Sequence, residues 1–337
     1  MNIYDISRLA GVSTATVSRV INGTDNVKQS TRDRVLNVME QFGYTPNAFA
    51  RGLGLNTMNS IGIMCADSSD IYLSKAVYYI EGQLRKNGYH CILTCTGYER
   101  EQQKKSLSML LAQHVDCIIL VGSVFIDKDE ANNDHIYNAA NSVPVMLLNA
   151  TLEHDNIYCV MCDDQLATQD ATISLIEKDI KNILYLYNTQ TFSALRKAAG
   201  YRRAFETKGL ICDERYLQFY KGSSQDIDGI FDFLIRLSNK GLVFDSVVAS
   251  DDFLAIGAVK YALRQGLKIP DDFSVIGYNN SVITACCEPE LTSVDNHLEL
   301  LCNTLVKVCM TTLSGEATPN KTIFHGTLVH RSTTKTA

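Results

Sequence analysis

Long apolar runs are missing from this 337-residue sequence. No stretch reaches the roughly 18 consecutive apolar residues that a membrane-spanning helix needs. The first residues, "MNIYDISRLAG", include Asp5 and Arg8 and lack the apolar core of a secretory signal. We therefore predict a cytoplasmic protein without membrane contact. The chain is too long for most single cores, so two or three domains are expected.

The signs of a disulfide framework or a zinc site are also missing, although the chain has eleven cysteines. Cys159 and Cys162 form a C-x-x-C pair, but no second C-x-x-C or H-x-x-x-H follows at the spacing of zinc sites. Other cysteines lie in β-like runs such as "IGIMC" and "DCIIL", where Cys acts as a small apolar residue. We predict reduced thiols, no metal and no cofactor.

Common catalytic motifs are absent as well. The sequence contains no H-E-x-x-H, no G-x-S-x-G and no P-loop, and its seven histidines are scattered. An enzyme would have to use Asp251 and Asp252 as catalytic carboxylates. We therefore predict that the protein is not an enzyme.

The charge is uneven along the chain. Residues 1–58 carry six Lys/Arg and four Asp/Glu, a net charge of +2, which leaves −8 for the remainder of a chain whose total is −6. A mildly basic head on an acidic body suggests that a polyanionic partner binds the head.

Three short helical patterns fill the head. "IYDISRLAG" has apolar residues at helical spacing and stops at Gly11, and "TATVSRVIN" begins after Ser13, its predicted N-cap. The few residues between these two patterns are typical of a helix-turn-helix connection. "STRDRVLNVMEQFG" predicts a third helix with Ser30 or Thr31 as N-cap and Gly43 as C-cap.

A weaker helical pattern, "YTPNAFARGLGLNTMNS", follows. Pro46 favours a helix start, but Gly52 and Gly54 each cost about 1 kcal/mol relative to Ala in a helix interior. We predict a linker that becomes helical only when something braces it.

From Ser60 onward, strand-like runs such as "SIGIMCA", "VPVMLLN" and "FSVIGY" alternate with amphipathic stretches. This alternation predicts parallel α/β sheets, and roughly 270 residues hold too many such units for one sheet. Two doubly wound lobes are expected, with a break near residues 158–162. Because ligands bind beyond the carboxyl ends of parallel strands, the residues that follow the strands are the candidate site.

The head, from Ile3 to Leu53, resembles the amino-terminal headpiece of the lactose/galactose-repressor family. The resemblance resumes in "IGIMCADSSD", "AAGYRRAF", "ASDDFLAIGAVKYALRQGLKIPDDFSVIGYNN", "PELTSVDN" and "LVHRSTT". It implies an all-α helix-turn-helix headpiece and an α/β core of two doubly wound parallel-sheet lobes, like type I periplasmic sugar-binding proteins. It also implies a transcriptional repressor that binds a palindromic operator in double-stranded DNA as a homodimer.

The resemblance sets the expected domains. The helix-turn-helix headpiece comprises residues 1–46, the hinge helix and linker 47–59, and the effector-binding and dimerisation core 60–337. Lobe one is expected to comprise 60–160 and 291–320, and lobe two 161–290 and 321–337.

Carried onto this sequence, the family's main base-reading positions are Thr14, Ala15 and Arg19. Arginine offers a bidentate fork to guanine, and a small alanine meets a thymine methyl group. A second set of polar residues is expected either to contact phosphates or to cap helices: Tyr4, Ser13, Thr16, Ser18, Asn22 and Thr31.

Leu53 matches a family leucine that wedges into the minor groove and bends the duplex. Asn47 and Arg51 are expected to contact the DNA backbone or the minor groove. A hinge that folds on DNA would tie operator binding to the opening or closure of the cleft by a ligand.

The effector site departs from the family pattern. Where the family commonly has an arginine before its Gly-aromatic pair, this chain has Lys197, with Arg196 one place earlier, and either residue is a candidate. Asn149 and Asn279 stand where sugar-binding relatives often have Asp, so charge-assisted bonds to hydroxyls are lost there. The predicted effector-binding set is Asp67, Tyr72, Ser123, Asn149, Asp163, Phe192, Arg196, Lys197, Tyr220, Asp252 and Asn279.

The predicted effector is a small molecule, a sugar or a related metabolite. Tyr72, Phe192 and Tyr220 would either stack on a sugar face or pack in the core. A transport solute-binding protein, the main alternative to a regulator, would lack the headpiece and carry a signal peptide.

Overall fold

The computed structural model describes residues 1–23, 26–44 and 57–335. The chain opens with helices α1 (Ile3–Ala10), α2 (Thr14–Ile21) and α3 (Gln29–Gln41). They pack around a small buried cluster formed by Ile6, Ala10, Val17, Val20 and Val35. The amphipathic patterns of the sequence therefore meet in one core, in which each helix buries one face.

The turn between α1 and α2 follows the predicted capping residues. Gly11 has a φ of 61°, in the left-handed region that glycine adopts at low cost, and its N–H donates to the carbonyl of Arg8. Ser13 caps α2 by accepting the N–H of Thr16 on its hydroxyl. The two helices are thus held in a helix-turn-helix arrangement.

The predicted start of α3 is wrong by two to three residues. The N-cap position is Lys28, whose side chain makes no capping hydrogen bond, and Ser30 and Thr31 lie inside the first turn. The N–H of Thr31 donates to the carbonyl of Lys28, which closes that turn without help from a hydroxyl. The helix ends at Gln41, and Gly43 follows with a φ of 60°.

The first lobe contains a six-stranded sheet in the order β11-β5-β4-β3-β1-β2, and every recorded strand pair in it is parallel. Its strands are β1 (Ser60–Cys65), β2 (His90–Cys95), β3 (Cys117–Val121), β4 (Val145–Leu148), β5 (Ile157–Cys162) and β11 (Lys321–Phe324). The helices that pack on this lobe are α4 (Ile71–Lys86), α5 (Arg100–Ala112), α6 (Asp134–Ala140) and α12 (Leu298–Leu313). The inner strands are buried on both faces, which explains their near-continuous apolar sequences.

The second lobe repeats this plan with the strand order β12-β10-β9-β8-β6-β7, where only the β10–β12 pair, among the described strands, is antiparallel. Its strands are β6 (Ile183–Tyr187), β7 (Leu217–Phe219), β8 (Ser246–Ala249), β9 (Ser274–Tyr278), β10 (Thr292–Asp295) and β12 (Thr327–Val329). Its helices are α7 (Asp164–Ile176), α8 (Phe192–Thr207), α9 (Ile227–Asn239), α10 (Asp252–Arg264) and the short α11 (Ile283–Cys286).

The lobe boundaries differ from those expected from the sequence. β10 was assigned to lobe one, but it pairs with β9 in the second sheet. β11 was assigned to lobe two, but it pairs with β5 in the first sheet. The chain crosses between lobes after β5, after β10 and after β11.

Within the described ranges, no helix is long and apolar enough to cross a membrane. The eleven cysteines all lie within these ranges as free thiols, several of them buried in the strands of the first sheet.

Candidate DNA-binding face and ligand cleft

Helix α2 has two distinct faces. Val17 and Val20 are buried against α1 and α3, whereas Ala15 and Arg19, one helical turn apart, are exposed. Thr14 stands partly exposed at the start of the same outer face. The three predicted base-reading residues therefore share one accessible surface with a single basic side chain.

Several predicted phosphate contacts have hydrogen-bond partners inside the headpiece. The hydroxyls of Ser13 and Thr16 lie 2.9 Å apart and form part of the α2 cap. The side-chain amide of Asn22 reaches the hydroxyl of Ser18 at 3.5 Å, at the other end of the helix. Tyr4 on α1 is 72% exposed, so its ring and hydroxyl are accessible to a partner. The side chains of Ser13 and Thr16 therefore cap the helix, whereas the side chain of Tyr4 is accessible to a partner.

Thr31, also predicted to contact phosphate, is half-buried in the first turn of α3. The predicted hinge contacts Asn47, Arg51 and Leu53 lie outside the described residues.

A cavity of about 470 Å³ lies between the two lobes. Its walls come from the carboxyl ends of β1, β3, β4, β6, β8 and β9 and from the helices that follow, the position at which doubly wound sheets bind ligands. Six of the predicted effector residues line it: Asp67, Tyr72, Ser123, Asn149, Lys197 and Asn279.

Asn149 and Asn279 occupy equivalent positions in the two lobes. Asn149 follows β4, the fourth strand counted from the edge strand β2, and Asn279 follows β9, the fourth strand counted from the edge strand β7. Both have a positive φ, of 59° and 97° respectively. The N–H of Asn149 donates to Val160 on β5, and the N–H of Asn279 donates to Val294 on β10. Asparagine tolerates this backbone region better than most residues, and both asparagines line the cavity. The side-chain amide of Asn149 also donates to Asp164 and Ser193 and accepts the N–H of Cys162.

Lys197 is the central cation of the cleft. Only 7% of the residue is exposed, and its Nζ donates to the carbonyl of Ser250 at 2.9 Å. The same Nζ lies 3.6 Å from the centroid of the Tyr278 ring. Burial lowers the pKa of Lys197, and the nearby carboxylates of Asp164 and Asp251 partly offset that effect.

Asp164 is the centre of a buried hydrogen-bond network beside the cleft. It is fully buried, and it accepts hydrogen bonds from the hydroxyl of Tyr278 at 2.6 Å and from the hydroxyl of Ser193 at 2.5 Å. The amide of Asn149 adds a third contact at 3.3 Å. Asp164 lies just after β5, where the chain passes from the first lobe to the second. Ser193 and Tyr278 belong to the second lobe, so their hydrogen bonds hold this part of the chain against the lobe that carries Lys197.

The cleft wall is acidic. Of the described residues that line the cavity, Asp67, Asp70 and Asp251 carry carboxylates and only Lys197 carries a basic group. Burial raises the pKa of Asp70, and it raises the pKa of Asp251 to about 6. The hydroxyl and N–H of Ser69 lower the pKa of Asp67.

A second cavity of about 630 Å³ adjoins the first beside α4 and α12. Asp70, Tyr72, Asp251 and Asn279 line both cavities. The buried hydroxyl of Tyr72 has no hydrogen-bond partner among the described residues. It is therefore a polar group at the junction of the two cavities that a ligand could satisfy.

The comparisons with known proteins agree with this architecture. Residues 2–47 match the family model described as bacterial regulatory proteins, lacI family, and residues 173–334 match the model of a periplasmic binding protein-like domain. An HTH-type transcriptional regulator of Lachnoclostridium phytofermentans is 50% identical over 334 residues, which cover 99% of both chains.

The chain belongs to the lacI family of bacterial regulatory proteins. It is thus a DNA-binding transcriptional regulator with an effector-binding domain, and its relatives are regulators rather than enzymes. The predicted family and fold class are confirmed.

Two solved structures share the fold over 99% of both chains. The Lac repressor dimer bound to operator and the anti-inducer ONPF has a TM-score of 0.85 at 24% identity. A complex of the transcriptional regulator CelR with cellobiose has a TM-score of 0.71 at 24% identity.

Between the two candidates for the lacI-family arginine, the structure separates Lys197 from Arg196. Lys197 lines the cleft, whereas Arg196 forms an ion pair with Asp163 at 2.8 Å and lines neither cavity. Asp163 also caps α7 through the N–H of Leu166, and although burial opposes ionisation, these contacts lower its pKa. The two predicted residues Arg196 and Asp163 therefore pair with each other where the chain crosses between lobes, outside the described cavities.

Asp252 is also placed differently from the prediction. It is 2% exposed, and its carboxylate accepts the N–H and hydroxyl of Ser281, both at 2.7 Å, and the hydroxyl of Ser293 at 2.5 Å. It borders the second cavity, not the first. Its oxygens hold the loop after β9 against β10, which leaves little capacity for a ligand.

Two predicted aromatic contacts pack in the core instead. Phe192 packs partly buried against the apolar cluster of the first lobe. Tyr220 is 6% exposed, and its ring packs against the ring of Phe233 in a tilted arrangement. Its hydroxyl donates to Asp226 at 3.2 Å. Neither residue lines a described cavity, so the core alternative describes both.

The predicted effector-binding set omits Asp70, Tyr98 and Asp251, although Asp70 and Asp251 belong to the segments after β1 and β8 that were expected to border the site. Asp70 and Asp251 cap α4 and α10 by accepting the N–H of Leu73 and Leu254, both at 2.8 Å. An Asp directly before an amphipathic helix is a recognisable N-cap signal, and in this fold that cap faces the cleft. Tyr98 comes from the loop after the edge strand β2, and no local pattern marks it.

Proposed function

We propose that this regulator is a homodimeric repressor of a palindromic operator, and that a small polyhydroxy ligand in the interlobe cleft controls its DNA binding. The observation that carries the proposal is the outer face of α2, where Thr14, Ala15 and Arg19 are accessible opposite the buried Val17 and Val20. A recognition helix needs this division, because one face must hold it in the headpiece while the other enters the major groove.

Each exposed residue has a role that fits its chemistry. Arg19 would donate two hydrogen bonds to O6 and N7 of a guanine, and Ala15 would contact a thymine methyl group. Thr14, at the helix start, would reach a base edge or a phosphate, and Tyr4 would contact the DNA backbone. From the sequence, Leu53 is proposed as a minor-groove wedge with Asn47 and Arg51 beside it.

Dimerisation and palindromic recognition go together, because a two-fold symmetric dimer presents two recognition helices to two half-sites. The Lac repressor dimer bound to operator, which shares the fold, supports this assembly for the present chain.

The proposed ligand is an uncharged or cationic polyhydroxy compound, such as a neutral sugar or an amino sugar. The side-chain amide of Asn279 can donate and accept, as sugar hydroxyls require, and Asn149 lines the same cavity from the other lobe. The three wall carboxylates Asp67, Asp70 and Asp251 outnumber the ammonium of Lys197 and would repel a phosphate or carboxylate on the ligand. The CelR–cellobiose complex, with the same fold, supports a sugar.

A thermal-shift screen of the full chain tests the ligand class. Neutral sugars, amino sugars, sugar phosphates and sugar acids are compared at equal concentration. A neutral or amino sugar should raise the Tm, since a ligand that binds only the native state at about 100 times its Kd stabilises by about 2.7 kcal/mol. A larger rise with a sugar phosphate or sugar acid would contradict the assignment.

Selection of bound duplexes from a random-sequence DNA pool tests the regulator assignment. We expect enrichment of an inverted repeat, and light scattering of the complex should give two protein chains per duplex. Enrichment of a single half-site with one bound chain would contradict the dimeric, palindromic reading.

A further inference from the structure

Two thiols of adjacent strands face each other at the edge of the first lobe. Cys65 ends β1 and Cys95 ends β2, and the parallel register pairs these two residues directly. Their Sγ atoms are 3.7 Å apart. The two sulfurs thus lie on the same face of the sheet and already touch.

The positions fit the geometry of a disulfide. Neighbouring strands are spaced by roughly 4.8 Å, which lies inside the Cα separation that disulfides span. The sulfurs must approach by roughly 1.7 Å to reach bonding distance, which a rotation about the side-chain bonds supplies. Closing the bond therefore needs no rearrangement of the strands.

The two thiols differ in access. Cys95 is exposed and Cys65 is buried, and burial, together with the neighbouring Cys95, raises the pKa of Cys65 to about 12. An oxidant in solution meets Cys95 first, because reaction requires an accessible sulfur. Cys65 is then the thiol positioned to react with an oxidised Cys95, in the manner of a resolving cysteine.

We propose that Cys65 and Cys95 form a reversible intramolecular disulfide when the protein meets hydrogen peroxide, a modification site at the rim of the cleft. The Cys95 sulfur attacks peroxide, the O–O bond breaks, and a sulfenic acid and one water form. The Cys65 sulfur then attacks the sulfenic sulfur, the S–S bond forms, the S–O bond breaks and a second water leaves. The two thiols lose two electrons and two protons, and peroxide is reduced to two waters.

The bond would act on the cleft wall. The N–H of Thr96 donates to the carbonyl of Cys65, and the N–H of Gly97 donates to the carbonyl of Ala66, both at 2.9 Å. Asp67 and Tyr98, the next residues along these two segments, line the cavity. The disulfide would therefore tie together the two backbone segments that present Asp67 and Tyr98 and restrict their local opening.

Peptide mapping of the full chain tests the proposal. The reduced protein is treated with hydrogen peroxide, alkylated, digested with trypsin without reductant and analysed by mass spectrometry. We expect peptide 52–75 linked to peptide 87–100, lighter by two hydrogens than their sum, and separated again by dithiothreitol. Fragmentation assigns the link to Cys95 rather than Cys91, which pairs with Ile61 in the register.

Matched variants complete the test. Cys95→Ser should abolish the linked peptide and Cys91→Ser should retain it, with circular dichroism checking that both variants fold. Oxidation of Cys95 to sulfinic or sulfonic acid without a link, a disulfide between two chains, or no reaction at all would overturn the proposal.

Hydrogen exchange of the oxidised and reduced full chain tests the effect on the cleft wall. We expect the exchange rates of residues 66–70 and 96–99 to change, while those of the equivalent loops in the second lobe stay the same. Unchanged exchange in both segments would overturn the inferred coupling to the cleft.

Discussion

The ammonium of Lys197 lies 3.6 Å from the centre of the Tyr278 ring, whose hydroxyl donates to the buried Asp164. A cation over an aromatic face is stabilised by the ring's quadrupole, more so where water is excluded. The ammonium also donates to the carbonyl of Ser250, and Lys197 lines the cleft. This arrangement makes Lys197 the cation that a bound polyol would meet.

Lys197→Met should abolish the ligand-induced rise in Tm while leaving the protein folded. The native environment disfavours the lysine charge, as its lowered pKa shows, so an apolar side chain of similar length is tolerated. Thermal shift with the ligand found by screening measures the effect. Lys86→Met is the matched control, because Lys86 is an exposed lysine at the end of α4 that lines neither cavity, and it should keep the response. Retention of the response in Lys197→Met would refute the ligand contact.

Arg19→Ala should weaken binding to the selected operator by about 1–3 kcal/mol and relax specificity at one base pair of each half-site. Competition binding against duplexes substituted at each position measures both effects. Arg8→Ala, which removes an exposed arginine of α1, controls for a general loss of positive charge. An equal loss of affinity on every duplex would show that Arg19 contacts only the backbone.

Asp252→Ala should destabilise the core even without ligand. It would strip the buried Ser293 hydroxyl and the Ser281 N–H of their acceptor, at about 1–3 kcal/mol for each buried group left unsatisfied. Urea unfolding measures the change. Asp228→Ala, which removes an exposed carboxylate of α9, should keep the free energy of unfolding within about 0.5 kcal/mol of the wild type. Equal stability of the two variants would contradict the structural role of Asp252.

Gly200→Ala should destabilise the protein, although alanine is normally the better helix former. A Cβ at this position of α8 would lie 2.1 Å from the carbonyl oxygen of Gln165 on α7, so the two helices would have to separate. Overpacking of this kind costs about 1–3 kcal/mol. Gly82→Ala on α4, where a Cβ meets nothing within 4 Å, is the control and should be neutral or stabilising. A stabilised Gly200→Ala protein would contradict the close approach of α7 and α8.

Asp251 should make the ligand-free protein less stable as pH rises from about 4 to about 6. Burial raises its pKa from 3.8 to about 6, so in this range the native state holds a proton that the unfolded chain has released. Asp252 and Asp70 add to the rise and Lys197 opposes it. Stability therefore falls with pH through this window, and the loss persists above it.

Asp251→Asn keeps a capping oxygen for the N–H of Leu254 and removes this titration. The variant should be more stable than the wild type by about 3 kcal/mol near neutral pH, with the difference vanishing below about pH 4. Urea unfolding across this pH range measures the difference. A constant difference at every pH would contradict the raised pKa.

The sequence predicts elements that carry their own local signal. Gly11 and Ser13 mark the boundary of α1 and α2, and the apolar inner strands of both sheets stand out because they are buried on both faces. The short edge strands β7, β11 and β12 lack such a signal, because their residues are mostly exposed or half-exposed. Their sheet membership depends on tertiary pairing, which explains why β11 was assigned to the wrong lobe.

The candidate site likewise contains residues that a local sequence pattern can assign and residues that it cannot. Lys197 shares a buried stripe of α8 with Ser193, Gly200 and Ala204, and this helical spacing distinguishes it from the neighbouring Arg196. The hydrogen bonds of Asp252 to Ser281 and Ser293 join segments that are distant in sequence, so no local pattern could assign it a structural role.

The most direct test of the account is the Kd of the full chain for its selected operator, measured by fluorescence anisotropy with and without the sugar that stabilises it. We predict that saturating ligand changes this Kd at least about tenfold, or about 1.4 kcal/mol, and that Lys197→Met removes the change while binding the free operator normally. An unchanged Kd at a ligand concentration that saturates the cleft would contradict control of DNA binding by the cleft.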